Sequence, residues 1–158
     1  PLSPLELTIG YVLGGATRGL IVALSVGVAL WLIIPFGVYN LAFIIIHGTA
    51  AALLMSALGM MTGIWAEKFD HVSTVTNFVI LPLSFLSGTF FAIGQFPDIL
   101  QTISHFNPFF YLIDGFRYGF TGQADGSLVI GLAVVLVGNL IALIGCFLMF
   151  HTGYKLKA

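Results

Sequence analysis

A chain of 158 residues has room for one ordinary domain, yet 59% of its residues are hydrophobic and only 7% are charged, against roughly 25% charged in soluble domains. So few charges cannot coat a water-facing surface, which excludes a soluble globular enzyme, a disordered segment and a nucleic-acid binder and leaves lipid as the solvent. The net charge of -1 carries no information about partners, because basic and acidic residues nearly cancel.

The chain opens Pro1-Leu2-Ser3-Pro4, without a Met, a basic leader or a cleavage site, and reads as the start of a fragment. Ser3-Pro4-Leu5-Glu6 has the pattern of a capping box. Ser3 is the N-cap, Pro4 stands at N1 where no amide is needed, and Glu6 at N3 reaches back to the N-cap amide. A helix running from Pro4 to Ile34 is about 46 Å long, against a hydrocarbon core of about 30 Å. Its first turns, over residues 1–11, therefore form a cytoplasmic elbow. Such a cap fits a plain helix start and a partner-docking elbow equally well.

Arg18 to Glu67 is free of charge and is broken midway by Pro35-Phe36-Gly37-Val38-Tyr39-Asn40, which gives two spans joined by a tight turn. The stretches from Asp70 to Asp98 and from Asp125 to Lys155 are also uncharged, and each suits one further span. The fold class is thus an all-α membrane protein forming one domain, with four transmembrane helices over residues 12–34, 41–65, 73–93 and 128–150. Consecutive apolar positions, rather than alternation, exclude barrel strands. Arg18, Lys68, Lys155 and Lys157 fall on one side of the membrane and Arg117 alone on the other, so the basic excess places both termini in the cytoplasm. Within the second span, His47 reads as a helix-contact residue rather than a proton relay, since no acid shares its depth. Glu67, Asp70 and His71 form a solvated turn rather than a metal site. Pro82 removes one backbone hydrogen bond and kinks the third span.

Residues 96–125 are too apolar for a simple loop and too interrupted to span. Pro97 opens a first short helix, and Asn107-Pro108 ends it while capping a second. Seven aromatics fall between positions 106 and 120: Phe106, Phe109, Phe110, Tyr111, Phe116, Tyr118 and Phe120. The expected structure is a re-entrant outer hairpin that dips into the outer leaflet or lies on it as an aromatic belt. Asp114 and Arg117, three residues apart, share a helix face within ion-pair reach, flanked by Tyr111 and Tyr118. As a simple pair near lipid, they should tolerate joint replacement by apolar residues better than loss of either one. Cys146 is inert packing. No phosphate-binding loop, zinc-protease motif or hydrolase elbow occurs.

Taken together, Leu86-Ser87-Gly88-Thr89-Phe90-Phe91, Phe96-Pro97-Asp98-Ile99-Leu100-Gln101 and Ser104-His105-Phe106-Asn107-Pro108-Phe109-Phe110-Tyr111-Leu112-Ile113-Asp114-Gly115-Phe116-Arg117 resemble the C-terminal signature of ABC-2 type transporter permeases. The opening seven residues are similar to that family's cytoplasmic connection between its second and third spans. Two positions depart from the pattern: Ala92 stands where Pro often follows the paired aromatics, and Phe96 where Leu often precedes the Pro. The resemblance implies the last four of six spans and a permease subunit in a bacterial cytoplasmic (inner) membrane. It also implies a homodimer among membrane lipids, without nucleic acid. This chain would carry no cofactor, catalytic residue or metal of its own, with ATP and Mg held by a separate ATP-binding subunit. Ser3, Pro4 and Glu6 would form the coupling elbow, Pro82 the span kink, and Pro97, Asn107, Pro108, Tyr111, Asp114 and Arg117 the outer hairpin. Drug, lipid, glycan and polysaccharide cargo all suit an apolar path. The reading from another class is a membrane-embedded enzyme acting on lipid through His105, Asp114 and Arg117, and a third is a structural assembly partner.

Overall fold

The computed structural model describes residues 2–89 and 97–154. Residues 90–93 of the third expected span, position 96 of the hairpin, the paired aromatics Phe90 and Phe91, Ala92, and the basic Lys155 and Lys157 lie outside the described residues. Within them every regular element is helical: α1 (Pro4–Ile33), α2 (Leu41–Trp65), α3 (Phe69–Val75), a π segment (Thr76–Ile80), α4 (Leu81–Phe85), α5 (Asp98–His105), α6 (Pro108–Thr121) and α7 (Leu128–Thr152).

Among the described residues three helices, α1, α2 and α7, are long and apolar enough to cross a bilayer. Their ends follow local chemistry. At the start of α1 the Ser3 Oγ accepts from the Glu6 N–H at 3.3 Å while the Ser3 N–H donates to the Glu6 carboxylate at 2.7 Å, the reciprocal cap expected. Asn40 Oδ1 accepts from the Ala42 and Phe43 amides to begin α2. Gly153, at φ 67°, ends α7 in the left-handed region that an L side chain resists.

The packing fixes the helix directions. Val12 lies beside Ser56, whose Oγ donates to the Val12 carbonyl at 2.9 Å, and Gly19 lies beside Ala52, so α1 and α2 are antiparallel. Cys146 Sγ contacts the Ala57 carbonyl at 3.3 Å and Gly145 lies beside Met61, near the C-terminal ends of both helices. At the other end, α6 sits between the start of α7, where Tyr111 meets Gly131, and the start of α2, where Gly119 meets Ile44. Thus α2 and α7 run parallel. The start of α1 joins their C-terminal ends, with Tyr11 stacked on Phe150 at 6.0 Å.

The third expected span, residues 73–93, differs in detail. Helix begins earlier, at Phe69, and gives way to turns after Phe85, with Gly88 at φ 80°. A π turn precedes Pro82, in which the Leu81 N–H reaches back to the Thr76 carbonyl. This longer register shifts the hydrogen bonding before the chain meets a residue that has no N–H and whose ring would crowd the preceding turn. Among the described residues the α3–α4 helix comes nearest α2 at one end and α6 at the other. A groove of about 330 Å³, lined by Met61, Thr62, Trp65, Val75 and Met149, opens between it, α2 and α7.

Candidate functional site

The sequence-selected residues fall into two groups at opposite ends of the bundle. At one end Ser3, Pro4 and Glu6 form the exposed first turn of α1. At the other, the segment expected as a hairpin forms α5 and α6.

α6 buries the aromatics of its first turn and leaves the later ones partly open. Phe109, Phe110, Tyr111, Leu112, Asp114, Gly115 and Gly119 are all buried, with Phe110 0% exposed, while Phe116 is exposed and Tyr118 and Phe120 are half-buried. Phe106, just before α6, is 85% exposed. Glycines make the docking possible. A Cβ on Gly115 would collide with the His47 imidazole, and one on Gly119 would collide with Ile44. The Gly119 carbonyl accepts from the Tyr39 and Asn40 amides at 2.9 and 2.8 Å, which ties α6 to the turn between α1 and α2. His47 is a helix-contact residue, 1% exposed, with Nδ1 3.0 Å from the Phe43 carbonyl and its ring stacked on Phe43.

Asn107 works in two directions. Its Oδ1 accepts from the Phe109 N–H at 3.0 Å to cap α6, and its Nδ2 donates to the Leu83 carbonyl at 2.6 Å, so the hairpin grips the end of the third helix. Ser87 and Thr89 hydroxyls satisfy the next carbonyl, that of Ser84. Pro97 is the N-cap position of α5 and Pro108 is N1 of α6.

Asp114 is the centre of a polar knot. Only 3% exposed, it accepts from Arg117 Nη2 at 2.8 Å and the Asp125 N–H at 2.8 Å through Oδ1, and from the Gly126 N–H at 3.0 Å through Oδ2. Arg117 also pairs with the Asp125 carboxylate at 2.5 Å. Burial pulls the Arg117 guanidinium down, but its bonds to Asp125 and Asp114 outweigh this and hold its pKa above the ordinary value. The expected pair is present, and it is one part of a larger clasp that fastens the start of α7 to α6. Asp125 and the two amides, eight to twelve residues beyond the pair, escaped the sequence reading; the Asp-Gly-Ser turn was their signal. Tyr111 packs on Gly131, and Tyr118 meets Tyr39 and Phe43 edge-on.

For the lipid-enzyme reading, the arrangement offers little. The Asp114 carboxylate spends its oxygens on three donors, and His105 packs edge-on against Phe110 at 5.2 Å. Among the described residues no group of His, Cys, Asp or Glu could hold a metal, and the inner turn places the Glu67 N–H 3.4 Å from His71 Nδ1.

Comparison with known proteins agrees with this architecture. The family described as ABC-2 type transporter matches residues 1–121. The chain is 36% identical over 149 residues to the inner membrane transport permease YadH of Escherichia coli K12, covering 94% of this chain and 58% of that one. It is 32% identical over 117 residues to nodulation protein J of Rhizobium leguminosarum bv. viciae, covering 74% of this chain and 42% of the relative. The chain therefore spans about half the length of these relatives. No solved structure matches it significantly. With span-length apolar helices in the matched region, the chain belongs to the ABC-2 type transporter family and is a multi-pass inner-membrane protein.

Proposed function

We propose that this chain is the C-terminal, four-crossing portion of an export permease that works as a homodimer, moves amphipathic cargo out of the cytoplasm and is driven by ATP hydrolysed, with Mg, on a separate subunit. The observation that carries the reading is the parallel course of α2 and α7, because two parallel spans must be joined by a further crossing. The α3–α4 helix supplies it, delivering the chain to the hairpin end, where Asn107 and the Asp114 clasp hold α5 and α6 as an outer re-entrant cap. The α1 elbow protrudes at the opposite, cytoplasmic end, where it can receive motion from the ATP-binding subunit. Pro82 and the π turn weaken the third crossing locally, a suitable place for a gate.

Topology provides the first test. In a cysteine-free full-length permease, Gln123→Cys should react with an impermeant maleimide added outside intact spheroplasts, and Lys68→Cys only after lysis. The reverse pattern would refute the orientation.

The elbow provides the second. Removing both sides of the capping box with Ser3→Ala and Glu6→Ala should fray one exposed turn, too small a loss to unfold packed spans. In the full-length complex, membrane expression and assembly should persist while ATP hydrolysis and vesicle transport fall together. Unchanged transport would reduce the cap to a plain helix start.

A further inference from the structure

The buried face of α7 is a single stripe, Gly131, Val135, Asn139, Ala142 and Cys146, and its central residue is polar. Asn139 is 9% exposed and stands eleven residues beyond Leu128, about 16 Å along the helix and so near the middle of the hydrocarbon. Its Nδ2 donates to the Val135 carbonyl at 3.0 Å, whereas its buried Oδ1 accepts from no donor among the described residues. Turning the amide over would set oxygen against oxygen at Val135 and strand the NH2 group instead. An acceptor left alone at this depth is costly, since lipid has no hydrogen to offer it.

What can reach this oxygen is narrowly limited. It has almost no exposed area, so neither lipid nor a further span of a longer chain can touch it from outside. From within, Cys146 meets the Ala57 carbonyl and Gly145 lies beside Met61, so on these parallel helices Asn139, six to seven residues earlier, faces residues 50–55 of α2. That stretch is Ala-Ala-Ala-Leu-Leu-Met and has no side-chain donor. Its small residues Ala50 and Ala51 pack against the core and keep the α2 backbone close to the seam. A helix carbonyl retains a second lone pair, and two in this bundle already use it on the facing helix: Val12 accepts from Ser56, and Ala57 from Cys146.

We propose that a water molecule is bound in the seam between α2 and α7, donating one hydrogen to Asn139 Oδ1 and the other to a backbone carbonyl of the facing stretch of α2. Water is small enough to enter a seam lined by alanines, and its two hydrogens match the two acceptors, one on each helix. The bridge ties the helices together at mid-bilayer, about two turns from the Cys146 contact. It depends on the packing of this chain and not on the export reading.

The test uses the full-length permease in lipid nanodiscs, prepared without cargo and imaged by electron cryomicroscopy at a resolution that shows ordered water. A compact density peak should lie within hydrogen-bond distance of Asn139 Oδ1 and of an α2 carbonyl, and it should be lost in Asn139→Leu. Brief X-ray irradiation, which turns bound water into hydroxyl radicals, gives an independent reading. Oxidation of the buried Leu54 should fall several-fold in Asn139→Leu. A seam without density, a side chain donating to Oδ1, or elongated density continuous with lipid would each overturn the proposal. Leu54 oxidation that the substitution leaves unchanged would overturn it as well.

Discussion

Replacing Asp114 with Ala should lower the stability of the full-length permease by about 2 to 4 kcal/mol, and the loss should not be rescued by also removing Arg117. Both expectations follow from what the carboxylate touches. The change strips one bond from Arg117, which keeps Asp125, but it orphans the Asp125 and Gly126 amides at the start of α7. Each partly buried N–H left without a partner costs about 1 to 3 kcal/mol, at the low end where water can enter beside the half-exposed Asp125. Arg117→Met alone should cost less, since Asp114 retains both amides. Asp114→Asn should cost less than Asp114→Ala, because its one oxygen can keep both Arg117 and the Asp125 N–H while its NH2 group meets the Gly126 N–H donor to donor. Unfolding in detergent by denaturant titration gives the comparison. If Asp114→Ala with Arg117→Met regained nearly all the stability lost by the first change, the clasp would be a simple ion pair, as the sequence alone suggested.

Gly115→Ala should be the second severe change. One methyl is enough, because the added carbon meets the His47 ring, which is buried and stacked on Phe43 and cannot swing away. Helix α6 must then back off α2, loosening Gly119 from the Tyr39 and Asn40 amides as well. Overpacking of this kind costs about 1 to 3 kcal/mol. His47→Ala alone should also destabilise, through the cavity it leaves. Combined, the two changes exchange volume across the contact, so the double variant should be more stable than the sum of the single losses predicts. Strict additivity would show that Gly115 and His47 do not meet.

These two sites show where the sequence was legible. The approximate ends of α1, α2 and α7 follow from charge-free length, the Ser3 cap and the interruption at residues 35–40, which are local features. The destination of the α6 aromatics was not legible, because in a membrane the same apolar residue suits lipid and protein equally and hydropathy cannot choose between them. What decides for Phe110 and Tyr111 is the small residues opposite, Gly126 and Gly131, brought near only by the fold. Glycine spacing is similarly ambiguous. Gly15-xxx-Gly19 lies on the α1–α2 contact, while Gly10, Gly14, Gly59 and Gly63 meet nothing within 4 Å. Gly115-xxx-Gly119, hidden in an aromatic segment, makes the tightest approach. Pro82 announced an irregular third helix, but whether the chain would bend or insert a π turn depends on the hydrogen bonding of preceding turns, which no single residue encodes. The Asp114 clasp was half legible: the partner three residues away obeys helical spacing, and those in the next turn do not.

The central claim is that this chain serves a transporter powered by another subunit. It is tested most directly by purifying the full-length permease in mild detergent from cells that also express the genes beside it, and assaying the product in proteoliposomes. The account predicts that an ATP-binding chain with a phosphate-binding loop co-purifies in fixed ratio, and that the complex hydrolyses ATP at a rate lowered by Ser3→Ala with Glu6→Ala. A permease that purifies alone and turns over bilayer lipid without ATP would contradict it.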